Sequence, residues 1–408
     1  MRERDWTRRE MLKSVGTGVL GIGVAAGVYH HMNRYIVGTE SEDGAVAAAS
    51  VSDVDHRRID LREHTSLTLI TGVFSTARSQ SLLSREDVAF VQPDRKLTHV
   101  SDSDEGHLSS GQTLPWGIDR INAPVAHAEG ATGEGVHVGV IDGGIDASHP
   151  DLEGNLADPE RAENHESWTE CSGGHCEYPW ADDGGHGTHV AGTIAAADGD
   201  SGVVGVAPDA TLHALKVCSQ RGGCRTSSIV EAVRYAADQG WDVINLSLGS
   251  PLESPALQAA GEYALQAGVL PVAAAGNRGK PDSVGFPAAY DEFLAVSATD
   301  IEDGLADFSS AGPEVDVAAP GADICSATIG GHAVQNGTSM ASPHVAGAAA
   351  LLLAEGYSLS ETRQRLLDTA ADLGLDETEQ GAGLVDVAAA LGYDDGDGGT
   401  GDGISCPA

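Results

Sequence analysis

Three polar side chains in this 408-residue sequence stand where runs of small residues let a strand or a tight turn meet a helix. Asp142 closes the apolar run Val136-His137-Val138-Gly139-Val140-Ile141 and is followed by Gly143-Gly144. His186 opens His186-Gly187-Thr188-His189-Val190-Ala191-Gly192. Ser339 lies in Asn336-Gly337-Thr338-Ser339-Met340-Ala341-Ser342-Pro343, ahead of an Ala-rich stretch. A serine hydroxyl is a poor nucleophile at neutral pH. An imidazole can take its proton, and a carboxylate can fix the tautomer of that imidazole and support its developing charge. Asp142, His186 and Ser339 therefore imply nucleophilic acyl transfer. At the start of a helix, the backbone N–H of Ser339 would point outward with the positive end of the helix dipole, ready for a developing oxyanion. Pro343 is expected within the first turn of that helix, where a missing N–H is tolerated.

Other readings of these residues are weaker. His189 makes an H-x-x-H pair with His186, but no third ligand is evident and the H-E-x-x-H pattern of zinc peptidases is absent. His344 reads as a packed core residue. An esterase of the α/β-hydrolase type would need G-x-S-x-G and the chain order Ser, Asp, His, and neither is present. A pseudo-protease that only captures peptides would not need all of Asp142, His186 and Ser339 intact.

The elements that must carry these side chains can be read from periodicity. Apolar runs at 136–141, 211–217, 242–248, 269–275 and 293–298 read as strands. They alternate with helical stretches at 188–197, 227–239, 255–267 and 339–354, and that alternation calls for a parallel sheet covered by helices on both faces. Ahead of this lies a small α+β unit, with strands expected at 34–38, 67–74 and 88–91, a helix at 45–60 and a helical turn at 81–87. Residues 99–111 read as a flexible, cleavable linker. Residues 394–408, rich in Gly and Asp, read as a disordered tail.

Charge divides the chain unevenly. Residues 1–111 carry 13 basic and 16 acidic side chains, whereas 112–408 carry 10 and 45, a net of −35. Polyphosphate would be repelled, so no nucleic-acid partner is expected. Only Lys13, Lys96, Lys216 and Lys280 are lysines. Such an acidic, lysine-poor surface suits concentrated salt, where repulsion is screened within ~3 Å at 1 M.

The Asp, His, Ser order and the three motifs together resemble the subtilases, over nearly all of 112–393. The resemblance implies a three-layer αβα subtilisin-like fold with a parallel central sheet, preceded by a small α+β prodomain. It also implies a serine endopeptidase that acts on protein or peptide substrates through an acyl-enzyme. Asn277, in Ala273-Ala274-Ala275-Gly276-Asn277, matches the family's oxyanion-hole asparagine. One departure stands out: the family usually has Ser or Thr after the catalytic Asp, where the hydroxyl helps hold the carboxylate, and this chain has Gly143. Substrate backbone would add as a strand beside Gly222, Gly223 and Cys224 on one side and Ser247, Leu248 and Gly249 on the other. The pocket for the residue before the scissile bond would be walled by Ser247 to Gly249, Ala274, Gly276 and Phe286.

A structural Ca²⁺ is implied by positional match with the family's strong site, at Gln112, Asp151 and the loop Ala197, Asp198, Gly199, Asp200, Ser201 and Val203. Gly199 stands where the family often has a side-chain ligand. The resemblance divides the chain into a signal segment (1–33), a prodomain and cleavable linker (34–111), a peptidase domain (112–393) and an acidic Gly-rich tail (394–408). It makes the prodomain an intramolecular chaperone and inhibitor, and the protein is expected to be a monomer. The pair Arg8-Arg9 ahead of a weakly apolar run at 14–29 resembles a twin-arginine export signal, so a secreted, extracellular enzyme is expected. The composition resembles halolysin-type proteases of salt-loving archaea. Six cysteines in an exported chain favour disulfides. Local pairing, Cys171 with Cys176 and Cys218 with Cys224, is the simplest arrangement, and Cys325 and Cys406 are left open.

Overall fold

The computed structural model describes residues 34–393, apart from 53, 98–101, 106–111, 173–175 and 221–222, together with Cys406. The expected export segment, most of the tail and Gly222 lie outside the described residues.

The N-terminal unit is a four-stranded antiparallel sheet of order β2-β3-β1-β4. It runs β1 (Arg34–Thr39), α1 (Glu42–Ser50), β2 (Val54–Asp60), β3 (Thr68–Val73), α2 (Thr76–Leu83) and β4 (Val88–Pro93). Two expectations are corrected here. The helix expected at 45–60 ends at Ser50, and 54–60 is a strand. That strand pairs only with β3 at the sheet edge and exposes His56, Arg57 and Arg58, so its sequence carries no clean apolar alternation. The helical turn expected at 81–87 is a helix over Thr76–Leu83, capped by the Ser75 hydroxyl.

The chain continues through three short strands, β5 (Lys96–Leu97), β6 (Asp102–Glu105) and β7 (Gln112–Thr113). β5 pairs antiparallel with β13 (Gly223–Arg225), which also pairs with β12 (Cys218–Ser219). β6 pairs antiparallel with β19 (Gly331–Asn336), setting Asn336 opposite Asp102. Part of the expected free linker is thus backbone-paired, because β19 offers it an open strand edge.

The rest is a three-layer α/β domain. Its sheet has the order β17-β16-β15-β14-β8-β11-β9, with every pair parallel. The strands are β8 (His137–Asp142), β9 (Glu166–Ser167), β11 (Thr211–Lys216), β14 (Val243–Leu246), β15 (Leu270–Ala274), β16 (Leu294–Thr299) and β17 (Val317–Pro320). Alternate residues serve opposite layers. Val138 and Val140 join one core with Val190 and Ile194 of α3 (His186–Ala195) and Val345 and Leu351 of α6 (Thr338–Ala354). Ile141, Ile244 and Leu246 join the other, with Ile229 and Val233 of α4 (Thr226–Gln239) and Leu257 and Ala260 of α5 (Pro255–Ala267). Burial on both faces explains why these strands read as nearly continuous apolar runs. β8 is flanked by β11 on one side and β14 on the other, so connections leave it in opposite directions, and Asp142 ends the strand at the crevice this creates.

The N-terminal sheet docks on α4 and α5. Ile36, Ile59, Leu69 and Phe90 enter their core. Asp94 accepts from the Ser227 N–H at 3.0 Å and the Ser227 hydroxyl at 2.7 Å, and the Gln92 side-chain oxygen accepts from the Ala256 N–H at 3.1 Å. Both acceptors meet first-turn donors of a helix, where acceptors are most favourable.

Three disulfides are formed: Cys171–Cys176, Cys218–Cys224 and Cys325–Cys406. The last ties the tail to β18 (Ile324–Thr328) across 81 residues of sequence. Cross-links over loops of this length restrict the unfolded chain, by up to about 4 kcal/mol in the chain-entropy view. Cys406→Ser is expected to lower the thermal midpoint of the purified, inhibitor-blocked enzyme, with less loss for Cys171→Ser. Calorimetry of the two variants side by side checks the order.

Candidate active site

Asp142 is fully buried at the end of β8, and His186 begins α3 directly above it. His186 Nδ1 lies 2.9 Å from one Asp142 carboxylate oxygen and 3.0 Å from the other. A proton shared there sits on Nδ1, which leaves Nε2 as the basic end of the ring. Gly143 donates its own N–H to Asp142 Oδ1 at 2.6 Å, so part of what a hydroxyl at this position would supply comes from backbone.

Ser339 is the second residue of α6, buried, with its hydroxyl donating to the Ser247 carbonyl at 3.1 Å. The helix starts at Thr338, so Pro343 is its sixth residue and lies beyond the first turn, contrary to expectation. Proline has no N–H for the Ser339 carbonyl four residues earlier. That carbonyl accepts instead from the Ser247 hydroxyl at 2.8 Å, which explains how the helix tolerates Pro343. The same Ser247 hydroxyl lies 3.0 Å from Ser342 Oγ and 2.8 Å from Asn245 Nδ2, so β14 and α6 are joined at the nucleophile.

Asn277 follows β15, and its side-chain oxygen accepts from both the Thr338 N–H, at 2.9 Å, and the Thr338 hydroxyl, at 2.7 Å. The Thr338 hydroxyl also accepts from the Gly276 N–H at 3.0 Å. With its oxygen so engaged, the Asn277 amide presents nitrogen, the end suited to an oxyanion. Thr338 is not singled out by the sequence, although its place beside Ser339 is visible there.

The described residues of the expected groove fall on two segments. Gly223 and Cys224 lie on β13, whose outer edge is held by β5. Ser247 and Leu248 are buried after β14, with Gly249 next to them. Gly285 N–H reaches the Ala275 carbonyl at 2.7 Å, and Phe286 exchanges backbone bonds with Ser250 at 2.8 and 2.9 Å. These bonds join the three wall segments expected around Ala274, Gly276 and Phe286.

Further buried residues near the triad carry no clear signal in the sequence. Asp182 accepts from the Thr188 N–H at 2.9 Å, the Thr188 hydroxyl at 2.6 Å and the Gly184 N–H at 2.9 Å. Burial above all pushes its carboxyl up; these donors oppose the rise and the nearby Asp142 adds to it. Lys216 and Asp183 form a buried ion pair. His332 Nε2 lies 2.7 Å from Asp151 Oδ2. For the two aspartates, the one available hint is the run Asp182-Asp183-Gly184-Gly185 just ahead of His186.

His344 is packed, as expected, and so is His189. His189 Nε2 bonds the Ile324 and Ala333 carbonyls, and burial pushes its pKa down to about 3. His344 bonds the Met340 carbonyl through Nδ1, and burial pushes it down to about 4.

The expected cation residues are also brought together. β7 pairs with β10 (Gly202–Val203), setting Gln112 opposite Gly202. Gln112 Nε2 lies 3.2 Å from the Ala197 carbonyl, and the Val203 N–H donates to Asp151 Oδ2 at 2.9 Å. Gly202 has φ +81°, and a Cβ there would overlap the Asp151 carboxylate. A buried carboxylate, which also meets His332 Nε2, and the Gln112 amide on the Ala197 carbonyl are groups whose oxygens suit a hard cation. Gly199 offers no side chain, and Asp198, Asp200 and Ser201 stay exposed on the loop. His149 stands beside this group but is satisfied by the Gly331 carbonyl at 2.7 Å and the Asp151 N–H at 3.2 Å.

Comparison with known proteins agrees with this geometry. Residues 133–384 match the model of the Subtilase family. The chain is 38% identical over 358 residues to Subtilisin E of Bacillus subtilis (strain 168), covering 86% of this chain and 88% of that protein. It is 44% identical over 271 residues to Subtilisin of Bacillus pumilus, covering 64% and 94%, and 43% identical over 295 residues to Alkaline protease of Shouchella clausii, covering 72% and 73%.

Because Thr338 holds the Asn277 side-chain oxygen through two bonds, Thr338→Val is expected to lower kcat by about 10- to 100-fold with little change in KM, the size of a partly disabled oxyanion donor. Thr338→Ser keeps the hydroxyl and is expected to stay within a few-fold of wild type. Steady-state kinetics on one chromogenic peptide separates the two.

Proposed function

The chain belongs to the Subtilase family and is a serine endopeptidase, and from that premise we propose that it is a secreted, self-processing zymogen that cleaves peptide bonds through an acyl-enzyme on Ser339. The observation that carries the assignment of roles is the pair of short contacts from His186 Nδ1 to a fully buried Asp142, at the mouth of the crevice where α6 presents Ser339.

In this reading the Ser339 hydroxyl turns from the Ser247 carbonyl toward His186 Nε2, which takes its proton as Oγ attacks the substrate carbonyl carbon. The oxyanion is met by the Asn277 amide nitrogen and the Ser339 backbone N–H. Asp142 supports the imidazolium, which then gives its proton to the leaving amine. Water, activated by the same imidazole, hydrolyses the ester and frees Ser339. The substrate lies as a strand along Gly223 and Cys224 on one side and Ser247 to Gly249 on the other, with an apolar side chain in the pocket closed by Phe286.

Residues 34–97 act as the prodomain, chaperone and inhibitor of their own peptidase. The position of β5 supports this: Leu97 lies opposite Cys224, on the edge a substrate would use, and lines a small cleft with Thr226, Leu252 and Leu257. β6 then lies opposite Ala333 to Asn336, on the strand that leads into α6 and Ser339. β5 pairs on the substrate edge and β6 pairs on β19, so the bond cut in maturation is assigned to the stretch of sequence between Leu97 and Asp102. Gln112, Asp151 and the loop from Ala197 to Val203 would hold a Ca²⁺ ion whose charge braces that loop against Asp151. Export through the twin-arginine segment at 1–33, a monomeric state and adaptation to salt complete the reading. Among the described residues no helix is long and apolar enough to cross a membrane.

Ser339→Ala is expected to abolish peptide hydrolysis and to leave the purified precursor intact, while wild-type precursor yields a new N-terminus within 98–102, read by intact mass. Precursor that matures normally with Ser339→Ala would overturn self-processing. A net of −35 over 112–408 repels itself most in the compact state, and net stability is only about 5–15 kcal/mol. The unfolding midpoint of the mature enzyme is therefore expected to rise steeply between 0.1 and about 1 M NaCl and to level off once the Debye length reaches ~3 Å. A midpoint that does not move over that range defeats the salt-adaptation reading.

A further inference from the structure

Lys216 ends β11 opposite Asp142, its register partner on β8, and has no solvent exposure at all. It is one of only four lysines in the chain. A buried ammonium without partners is strongly destabilising, so its contacts show what it is there to hold. Its Nζ donates to the carbonyl of Gly143 and to Asp183 Oδ1, the latter at 3.0 Å.

Both partners lead to the active site. The N–H of Gly143 donates to the Asp142 carboxylate at 2.6 Å while its carbonyl is gripped by Lys216, so the residue is anchored at both ends. A glycine left to itself is the most conformationally free of residues, and Gly143 has no hydroxyl of its own to offer the carboxylate. Asp183 in turn accepts from Gln220 N–H at 3.2 Å and Ser172 N–H at 2.5 Å. Burial by itself would raise its pKa, but these donors and Lys216 outweigh burial and hold the carboxyl below its ordinary value. One buried ion pair thus ties the peptide next to the catalytic carboxylate to the Cys171–Cys176 loop and to the turn of the Cys218–Cys224 hairpin, whose β13 edge faces the substrate.

We propose that Lys216, held by Asp183, is a positioning residue that fixes Gly143 and through it aims Asp142 at His186, doing by the main chain what a hydroxyl at position 143 would do by a side chain. The inference rests on the triad assigned above. Lys216 itself touches no reacting atom. Its effect belongs to turnover rather than to substrate affinity, because the supported imidazolium forms only as the reaction proceeds.

Lys216→Met keeps the length and volume of the side chain and removes the charge. The variant is matured by a tagged wild-type enzyme that is then removed, and kcat, KM and the thermal midpoint are measured with a single peptide substrate. The expected result is a loss of turnover by at least about 10-fold, with KM within about 3-fold of wild type. Asp183→Asn, which removes the charge and keeps only one of the two acceptor oxygens, weakens the hold on Lys216 without removing it and is expected to fall between the two. The decisive arm is Gly143→Ser in the Lys216→Met background: a hydroxyl on the carboxylate should recover at least about 3-fold of the lost turnover, a non-additivity that a merely structural lysine would not give. Turnover by Lys216→Met within about 3-fold of wild type overturns the proposal. So does a loss of turnover that Gly143→Ser leaves unrecovered, whether or not the thermal midpoint falls with it. Wild-type enzyme that fails to hydrolyse the peptide would instead overturn the triad reading itself.

Discussion

The structure turns on the burial of one charge. Asp142 has no contact with solvent, and a carboxylate removed from water must be met by donors or it will not stay ionised. The end of β8 is built around that requirement. His186 brings Nδ1 to both oxygens, Gly143 turns its N–H back on one of them, and Lys216 secures the carbonyl on the other side of Gly143. Each donor must arrive from a different element: α3, the β8–α3 connection and β11. The crevice at the reversal of strand order is where such elements converge, and so the charge, once placed there, dictates which loops can be small and which must be tied.

Helix beginnings recur as the working parts. α3 and α6 open at His186 and Thr338-Ser339, where first-turn N–H groups have no partner within the helix. α4 and α5 open toward the N-terminal sheet and receive Asp94 and Gln92 there. One property, unpaired donors at the positive end of a helix, thus serves docking of the N-terminal unit in one place and, in the proposed mechanism, transition-state charge in another. Docking through hydrogen bonds at two helix beginnings, the exposed Arg57–Glu231 ion pair and an apolar patch also suits the proposed zymogen, in which the unit must release its partner after cleavage.

Charge and packing are kept apart. The interior layers are filled by Ala, Val, Leu and Ile with few aromatic rings, and nearly all the acidic excess lies outside them. The buried acids around the crevice are each engaged: Asp142 by His186, Asp151 by Val203 and His332, Asp182 by Thr188 and Gly184, and Asp183 at the rim by Lys216. Surface repulsion is therefore a global term that ions in solution can screen, whereas the buried carboxylates depend on fixed donors that salt does not replace.

By itself the sequence determined the chemistry, the layer order and most of the sheet. Asp142, His186 and Ser339 were legible because each sits at a junction marked by small residues, Asn277 through the family resemblance, and β8, β11, β14, β15 and β16 because strands buried on both faces are uniformly apolar. Polar edge strands such as β2 and β6 were not legible, since their pairing depends on an open edge elsewhere in the chain rather than on a pattern of their own. The roles of Thr338, Asp182, Asp183, Lys216 and His332 were decided only in three dimensions, where partners distant in sequence reach hydrogen-bonding range. So was the pairing of Cys325 with Cys406. Pro343 is the clearest case: its missing N–H leaves the Ser339 carbonyl without a helical donor, and the hydroxyl that replaces it belongs to Ser247, 92 residues from Ser339 and on a different element.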